Sequence, residues 1–170
     1  MKKSAALLLA MISAPVMAVE VAMDKVDADG STQNVGTVTV SETAYGLVFT
    51  PALSGLEPGM HGFHLHQNAS CAPAEKEGQM VAALSAGGHY DPKNTGEHGT
   101  PWGKGHAGDL PAMYVDANGK AERAVLAPRL TMADLPGRAI MIHAGGDNHS
   151  DHPTALGGGG ARVACGVIAE

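Results

Sequence analysis

Cysteine, aromatic residues and charge are all scarce in this chain. It holds 2 Cys, 1 Trp, 2 Phe and 3 Tyr in 170 residues, and only 16% of it is charged. Two cysteines cannot staple a coreless mini-scaffold, so the fold must rest on buried apolar surface. The 11 Lys and Arg against 17 Asp and Glu give a net charge of −6, which leaves no basic footprint for nucleic acid. Helix-period apolar patterning of convincing length is missing too, which excludes bundles and coiled coils. No short repeat marks a fibrous protein, and 44% hydrophobic residues exclude a disordered tail. The length corresponds to about one domain. What the chain has in excess is glycine (23) and histidine (9), and histidine on that scale points to metal chemistry.

The first eighteen residues read as a secretory leader. Lys2 and Lys3 make a positive start, Ala5 to Ile12 an apolar run, and Val16-Met17-Ala18 a small-x-small cleavage site. The apolar run is too short to span a bilayer. Residues 19–170 form the expected domain, exported to the periplasm with no membrane segment in its mature form. Cleavage near Ala18 removes two lysines and leaves 9 basic against 17 acidic residues, a net charge of −8. Export also makes a disulfide between Cys71 and Cys165 the default pairing, with two buried thiols as the alternative. Closing a loop of 94 residues stabilises a fold by roughly 4–5 kcal/mol in the chain-entropy model.

The domain reads as eight short strands punctuated by turns: 19–26, 35–40, 47–50, 61–66, 112–115, 121–126, 139–143 and 161–168. Asn118-Gly119 between the fifth and sixth is a strong hairpin signal. The pattern predicts an all-β sandwich or flattened barrel with two long loops, 67–111 and 144–160. Loops of that length in a compact domain are usually functional, and a disulfide and metal ions are the obvious pins.

In Gly62-Phe63-His64-Leu65-His66, residues two apart share a strand face. His64 and His66 therefore converge while Phe63 and Leu65 enter the core. Imidazole pairs suit copper or zinc, and His143 can add a third nitrogen if its strand is adjacent. The first loop carries His89, His98 and His106, with Asp109 three residues on, a donor set suited to zinc. Singly, each is as readily a surface or turn residue; their joint density in one loop points to metal.

His61-Gly-Phe-His-Leu-His66, Gly87-Gly-His-Tyr-Asp-Pro92, Gly105-His-Ala-Gly-Asp-Leu-Pro111, Ile142-His-Ala-Gly-Gly-Asp-Asn148 and the Gly157–Ile168 segment resemble copper/zinc superoxide dismutase, in its bacterial periplasmic branch. The resemblance runs in order along the domain and implies an eight-stranded Greek-key β-sandwich, an architecture of which that enzyme is a standard example. It implies one copper per subunit on His64, His66, His89 and His143, and one zinc on His89, His98, His106 and Asp109, with His89 shared as a bridging imidazolate. Asp147 is implied to link His64 to His98, and His61 to brace loops. His149 and His152 exceed the copper set and read as solvated.

The activity implied is dismutation of superoxide to O2 and hydrogen peroxide, with copper cycling between Cu(II) and Cu(I). Zinc, which has no redox chemistry, is structural. His89 is implied to shuttle a proton to the product, and Arg162 to guide the anionic substrate against the unfavourable net charge. Bacterial relatives often show Lys-Asp-Gly-Lys where this chain has Lys76-Glu77-Gly78-Gln79, so one steering lysine is missing at Gln79. Trp102, the single indole, sits in a loop and suits either a homodimer contact or packing within its own subunit. Two rival readings are a copper- or zinc-binding carrier on the same fold without turnover, and a mononuclear zinc hydrolase. The hydrolase needs an open coordination position, which Asp109 closes.

Overall fold

The computed structural model describes residues 18–30 and 32–169. The leader expected over residues 1–18 therefore lies, but for Ala18, outside the described residues. The β-rich reading holds. A seven-stranded antiparallel sheet curls around the core in the spatial order β5 (Phe63–His66), β10 (Arg138–His143), β11 (Arg162–Ile168), β1 (Ala18–Val26), β2 (Thr32–Thr43), β3 (Gly46–Leu53) and β9 (Val125–Ala127). A separate antiparallel pair, β4 (Gly59–His61) with β8 (Met113–Val115), adds Met113 and Val115 to the same core. Alternation drives the sheet: Val38 and Val40 of β2, and Leu47, Phe49 and Leu53 of β3, point inward and are buried. The two phenylalanines, Phe49 and Phe63, meet edge-on in that core at 5.9 Å.

Three expectations need correction. The strand expected over 61–66 breaks at Gly62 into β4 and β5, which belong to different sheets. The Asn118-Gly119 turn forms, with the Gly119 amide on the Asp116 carbonyl at 3.0 Å, but its flanks diverge. β8 pairs with β4, whereas Ala121 bridges to Leu53 and β9 pairs with β3. Finally, loop 67–111 is not featureless. It contains a small hairpin, β6 (Ala74–Lys76) with β7 (Gln79–Val81), and a 3-10 turn at Leu84–Ala86.

The Cys71–Cys165 disulfide ties this loop to β11, with Cα atoms 5.8 Å apart. It sits in a small second core with Val26, Ala83, Ala86, Ala139 and Met141. No helix among the described residues is long and apolar enough to cross a membrane.

Candidate metal centre

β5 is the edge of the seven-stranded sheet, and an unpaired edge leaves main-chain groups without partners. The long loop supplies them. The Leu65 amide donates to the Gly108 carbonyl at 2.9 Å, and the Tyr90 amide donates to the Leu65 carbonyl at 2.8 Å. Antiparallel bridges set His66 opposite His89 and His64 opposite Asp109. Loop docking thus places donor side chains in facing register along one edge. Gly108 makes the approach feasible, since a Cβ there would lie 2.2 Å from the Leu65 carbonyl oxygen. On the other side of β5, the His143 amide donates to the Gly62 carbonyl at 2.8 Å, and a bulge brings His143 opposite Arg162. His64 and His66 are fully buried because the loop covers the face that would otherwise meet solvent.

Two donor clusters result, and their proton placement tests whether a cation suits them. Donor atoms of His64, His66, His89 and His143 all lie within 4.8 Å of one another. Carbonyl oxygens can only accept. The His66 Nδ1–H therefore donates to Gly87 O at 3.0 Å and the His143 Nδ1–H to Gly160 O at 3.1 Å. That leaves the two Nε2 lone pairs facing each other at 3.4 Å. The His64 Nε2–H donates to Asp147 Oδ2 at 2.8 Å, and its Nδ1 is buried without a partner. Nε2 of His89 is likewise buried and unpartnered. Four buried imidazole nitrogens facing one hollow suit a cation.

In the second cluster, Nδ1 of His89, His98 and His106 lie 2.9, 2.9 and 3.3 Å from the single oxygen Oδ1 of Asp109. One carboxylate oxygen cannot accept three full hydrogen bonds. The spacings instead approach the edges, about 3.3 Å, of a tetrahedron with zinc-type bonds of about 2.0–2.1 Å. The set around Asp109 whose donor atoms all lie within 4.8 Å of one another has His64 in place of His106. However, His64 has its Nε2 proton committed to Asp147, and its free Nδ1 belongs with the first cluster. His89 faces both clusters, Nδ1 toward one and Nε2 toward the other.

Asp147 joins the two. Oδ2 takes the His64 proton, and Oδ1 takes the His98 Nε2–H at 2.8 Å. Gly157, in a left-handed conformation, leaves the space for that contact, since a Cβ there would lie 2.0 Å from Asp147 Oδ1. Burial, with repulsion from His89 and His143, lowers the His64 pKa to about 3 despite the Asp147 bond. His143, likewise desolvated, is lowered to about 4, and His66 and His89 are lowered for the same first reason. His98 runs the other way. Burial opposes its charge, but two carboxylate hydrogen bonds outweigh that and raise its pKa to about 9. Burial also opposes the charge on Asp109 and Asp147, and hydrogen bonds from the imidazoles hold both far below the ordinary carboxylate range.

Arg162 directs its guanidinium to the carbonyls of Ala83 and Gly87, the latter at 2.6 Å. Gly87 O also accepts from His66, so the cation lies beside the first cluster. His61 ties Nδ1 to His143 O at 2.7 Å and Nε2 to Glu57 O at 2.8 Å, a brace between loops. Lys76 and Gln79 are exposed on the small hairpin. Trp102 is 71% exposed, so packing within its own subunit is overturned. His152 is exposed as expected, whereas His149 is half-buried, with its side chain 23% exposed. Its amide donates to Asp147 Oδ1 at 2.7 Å and its Nδ1 is buried 3.6 Å from the same oxygen. Sequence reasoning missed Asp151, which accepts the His98 amide at 2.8 Å, and it missed Arg129.

Residues 34–168 match the family described as copper/zinc superoxide dismutase (SODC). The chain belongs to that family. It is 66% identical over 135 residues to a superoxide dismutase [Cu-Zn] of Photobacterium leiognathi, covering 79% of this chain and 78% of that one. The solved Cu/Zn superoxide dismutase from Brucella abortus superposes with a TM-score of 0.88 at 52% identity, covering 89% and 99% of the two chains. A monomeric copper, zinc superoxide dismutase from Salmonella enterica gives 0.81 at 55% identity, again covering 89% and 99%. The superoxide dismutase fold accounts for the curled antiparallel sheet described above.

Proposed function

We propose that His64 Nδ1 and the Nε2 atoms of His66, His89 and His143 hold copper. On the same reading, Nδ1 of His89, His98 and His106 with Asp109 Oδ1 hold zinc. The protein dismutates superoxide to O2 and hydrogen peroxide, and copper and zinc are its cofactors. The single observation that carries the residue assignment is the set of four buried imidazole nitrogens facing one hollow, two of them without a hydrogen-bond partner, with His89 reaching both clusters. A carrier without turnover is not favoured, because the close relatives are named as enzymes.

Copper supplies the one-electron couple that dismutation requires and that zinc lacks. The residues of the chain do the rest. Arg162, fixed by two carbonyls, presents positive charge to the anion beside His66 and His143. A focused local field of this kind raises encounter rates by about 10–10³-fold, which offsets the repulsion of a net negative surface at physiological salt. His89 Nε2 is the atom that holds and delivers a proton to the product, with Nδ1 kept in place on the zinc side. Asp147 fixes the ring orientation of His64 and His98 together. Superoxide dismutase is a standing example of enzymes at the diffusional ceiling, where guidance of this kind matters most.

The leader over residues 1–18 supports export to the periplasm as a domain of residues 19–170. Exposed Trp102 supports a homodimer contact, which sedimentation of the mature protein tests. For the site itself, the metal-loaded protein should turn over superoxide, and His143→Ala should abolish turnover and copper retention while zinc stays. Copper retention unaffected by His143→Ala would remove that residue from the set.

A further inference from the structure

Loop residues 91–112 contain no strand or helix among the described residues, yet they carry His98, His106 and Asp109. Some of their carbonyls are paired within the loop, those of Asp91, Glu97, Thr100 and His106 among them, while those of Pro101 and Gly105 take a partner from outside it. That partner is Arg129, just beyond β9. Its Nε donates to Pro101 O and its Nη1 to Gly105 O, both at 2.7 Å, while Nη2 reaches Thr100 O at 3.5 Å and also bonds His106 O. The His106 carbonyl accepts the Asp109 amide too, at 3.2 Å, closing the turn that presents both side chains. Of the imidazoles gathered around Asp109, that of His106 is the most exposed, at 11% of its side chain, and makes the longest approach to Asp109 Oδ1. It is the donor least held by its own packing.

We propose that Arg129 is a positioning residue for zinc: its planar fork clamps the main chain of the Thr100–His106 stretch and so holds the His106–Asp109 turn ready to bind. The inference rests on the zinc-side assignment above. Only a guanidinium, with five donors in one plane, can span four carbonyls, whereas a lysine is a single compact charge. Because the clamp touches main chain, it acts on His106 whatever ring position that residue adopts. The copper cluster lies outside its reach, with His64 and His66 on β5 and His143 on β10.

The test is metal release from the metal-loaded, full mature protein into excess chelator, with zinc and copper followed separately. A cleft of about 360 Å³ beside Arg129 gives an apolar substitute room. Arg129→Met should release zinc about tenfold faster, the lower range for losing a ligand-orienting partner, with copper release unchanged. Arg129→Lys, which also serves if the methionine variant does not fold, should fall between the two. Zinc release at the wild-type rate, or equal acceleration of both metals, overturns the clamp, since a general loss of stability frees both. His106→Ala separates the two readings. If it leaves zinc retention unchanged, the zinc-side assignment fails and the clamp with it. If it weakens zinc while Arg129→Met does not, only the clamp fails.

Discussion

Replacing Asp147 by asparagine removes one acceptor and keeps the shape. The carboxylate has side-chain exposure of 0% and accepts His64 Nε2–H and His98 Nε2–H, both at 2.8 Å, on different oxygens. An asparagine offers one oxygen and one NH2, so whichever way the amide turns, one ring N–H faces a donor. Water cannot repair the loss in so closed a site. Orienting partners of this kind are worth 10–100-fold in metal affinity, or about 1.4–2.7 kcal/mol. Asp147→Asn should therefore weaken at least one metal by about tenfold or more in chelator competition. The metal-free variant, measured alongside by thermal unfolding, reports any general destabilisation. If both metals compete as in the wild type, Asp147 does not orient the two rings and the account of the bridge is wrong.

Arg162→Glu should lower the catalytic rate steeply and alter its salt dependence while metal content stays intact; an unchanged rate and salt dependence remove Arg162 from substrate guidance. Gly108→Ala places a Cβ 2.2 Å from the Leu65 carbonyl, so the loop should lose its register on β5 and zinc should be depleted in the purified protein. Full zinc occupancy in that variant contradicts edge docking. For the metal-free protein, burial lowers the folded pKa of His64 to about 3 and of His143 to about 4, both from 6.5. The unfolded chain then takes up protons that the fold refuses, so their contribution is complete above pH 6.5 and lost as pH falls. For His64 alone the loss is about 3 kcal/mol at pH 4. His98, raised to about 9, has the opposite sign, with its contribution complete below pH 6.5 and lost as pH rises through 9. Thermal unfolding of the metal-free protein should peak near neutral pH; a flat profile between pH 4 and 7 refutes the buried-neutral histidines.

Local patterning made much of this legible. The alternation of Phe63, His64, Leu65 and His66 announces a strand with two donors on one face, and the β-branched run of β2 announces a strand of the core. Donor density in one loop pointed to metal, and family motifs supplied the ligand sets. What no local pattern carries is pairing across distance. The break at Gly62 depends on β8, fifty residues away, and the diverging flanks of the Asn118-Gly119 turn depend on competing partners, β4 and β3. β6 and β7 are three residues each and largely exposed, so alternation is silent there. Only the Glu77-Gly78 turn, with φ of 53° and 80°, marks them. Arg129 follows a proline between buried Ala127 and Leu130, and in sequence a lone arginine there reads as a surface residue; its targets are carbonyls, which a sequence does not display.

The central claim is that two adjacent hollows, sharing His89, take copper and zinc respectively. Anomalous diffraction from crystals of the metal-loaded protein, collected at the copper and zinc absorption edges, tests it most directly. A copper peak is expected among His64 Nδ1 and Nε2 of His66, His89 and His143, and a zinc peak beside Asp109 Oδ1 among three Nδ1 atoms. A single peak at one hollow for both edges, or peaks away from His89, would contradict it.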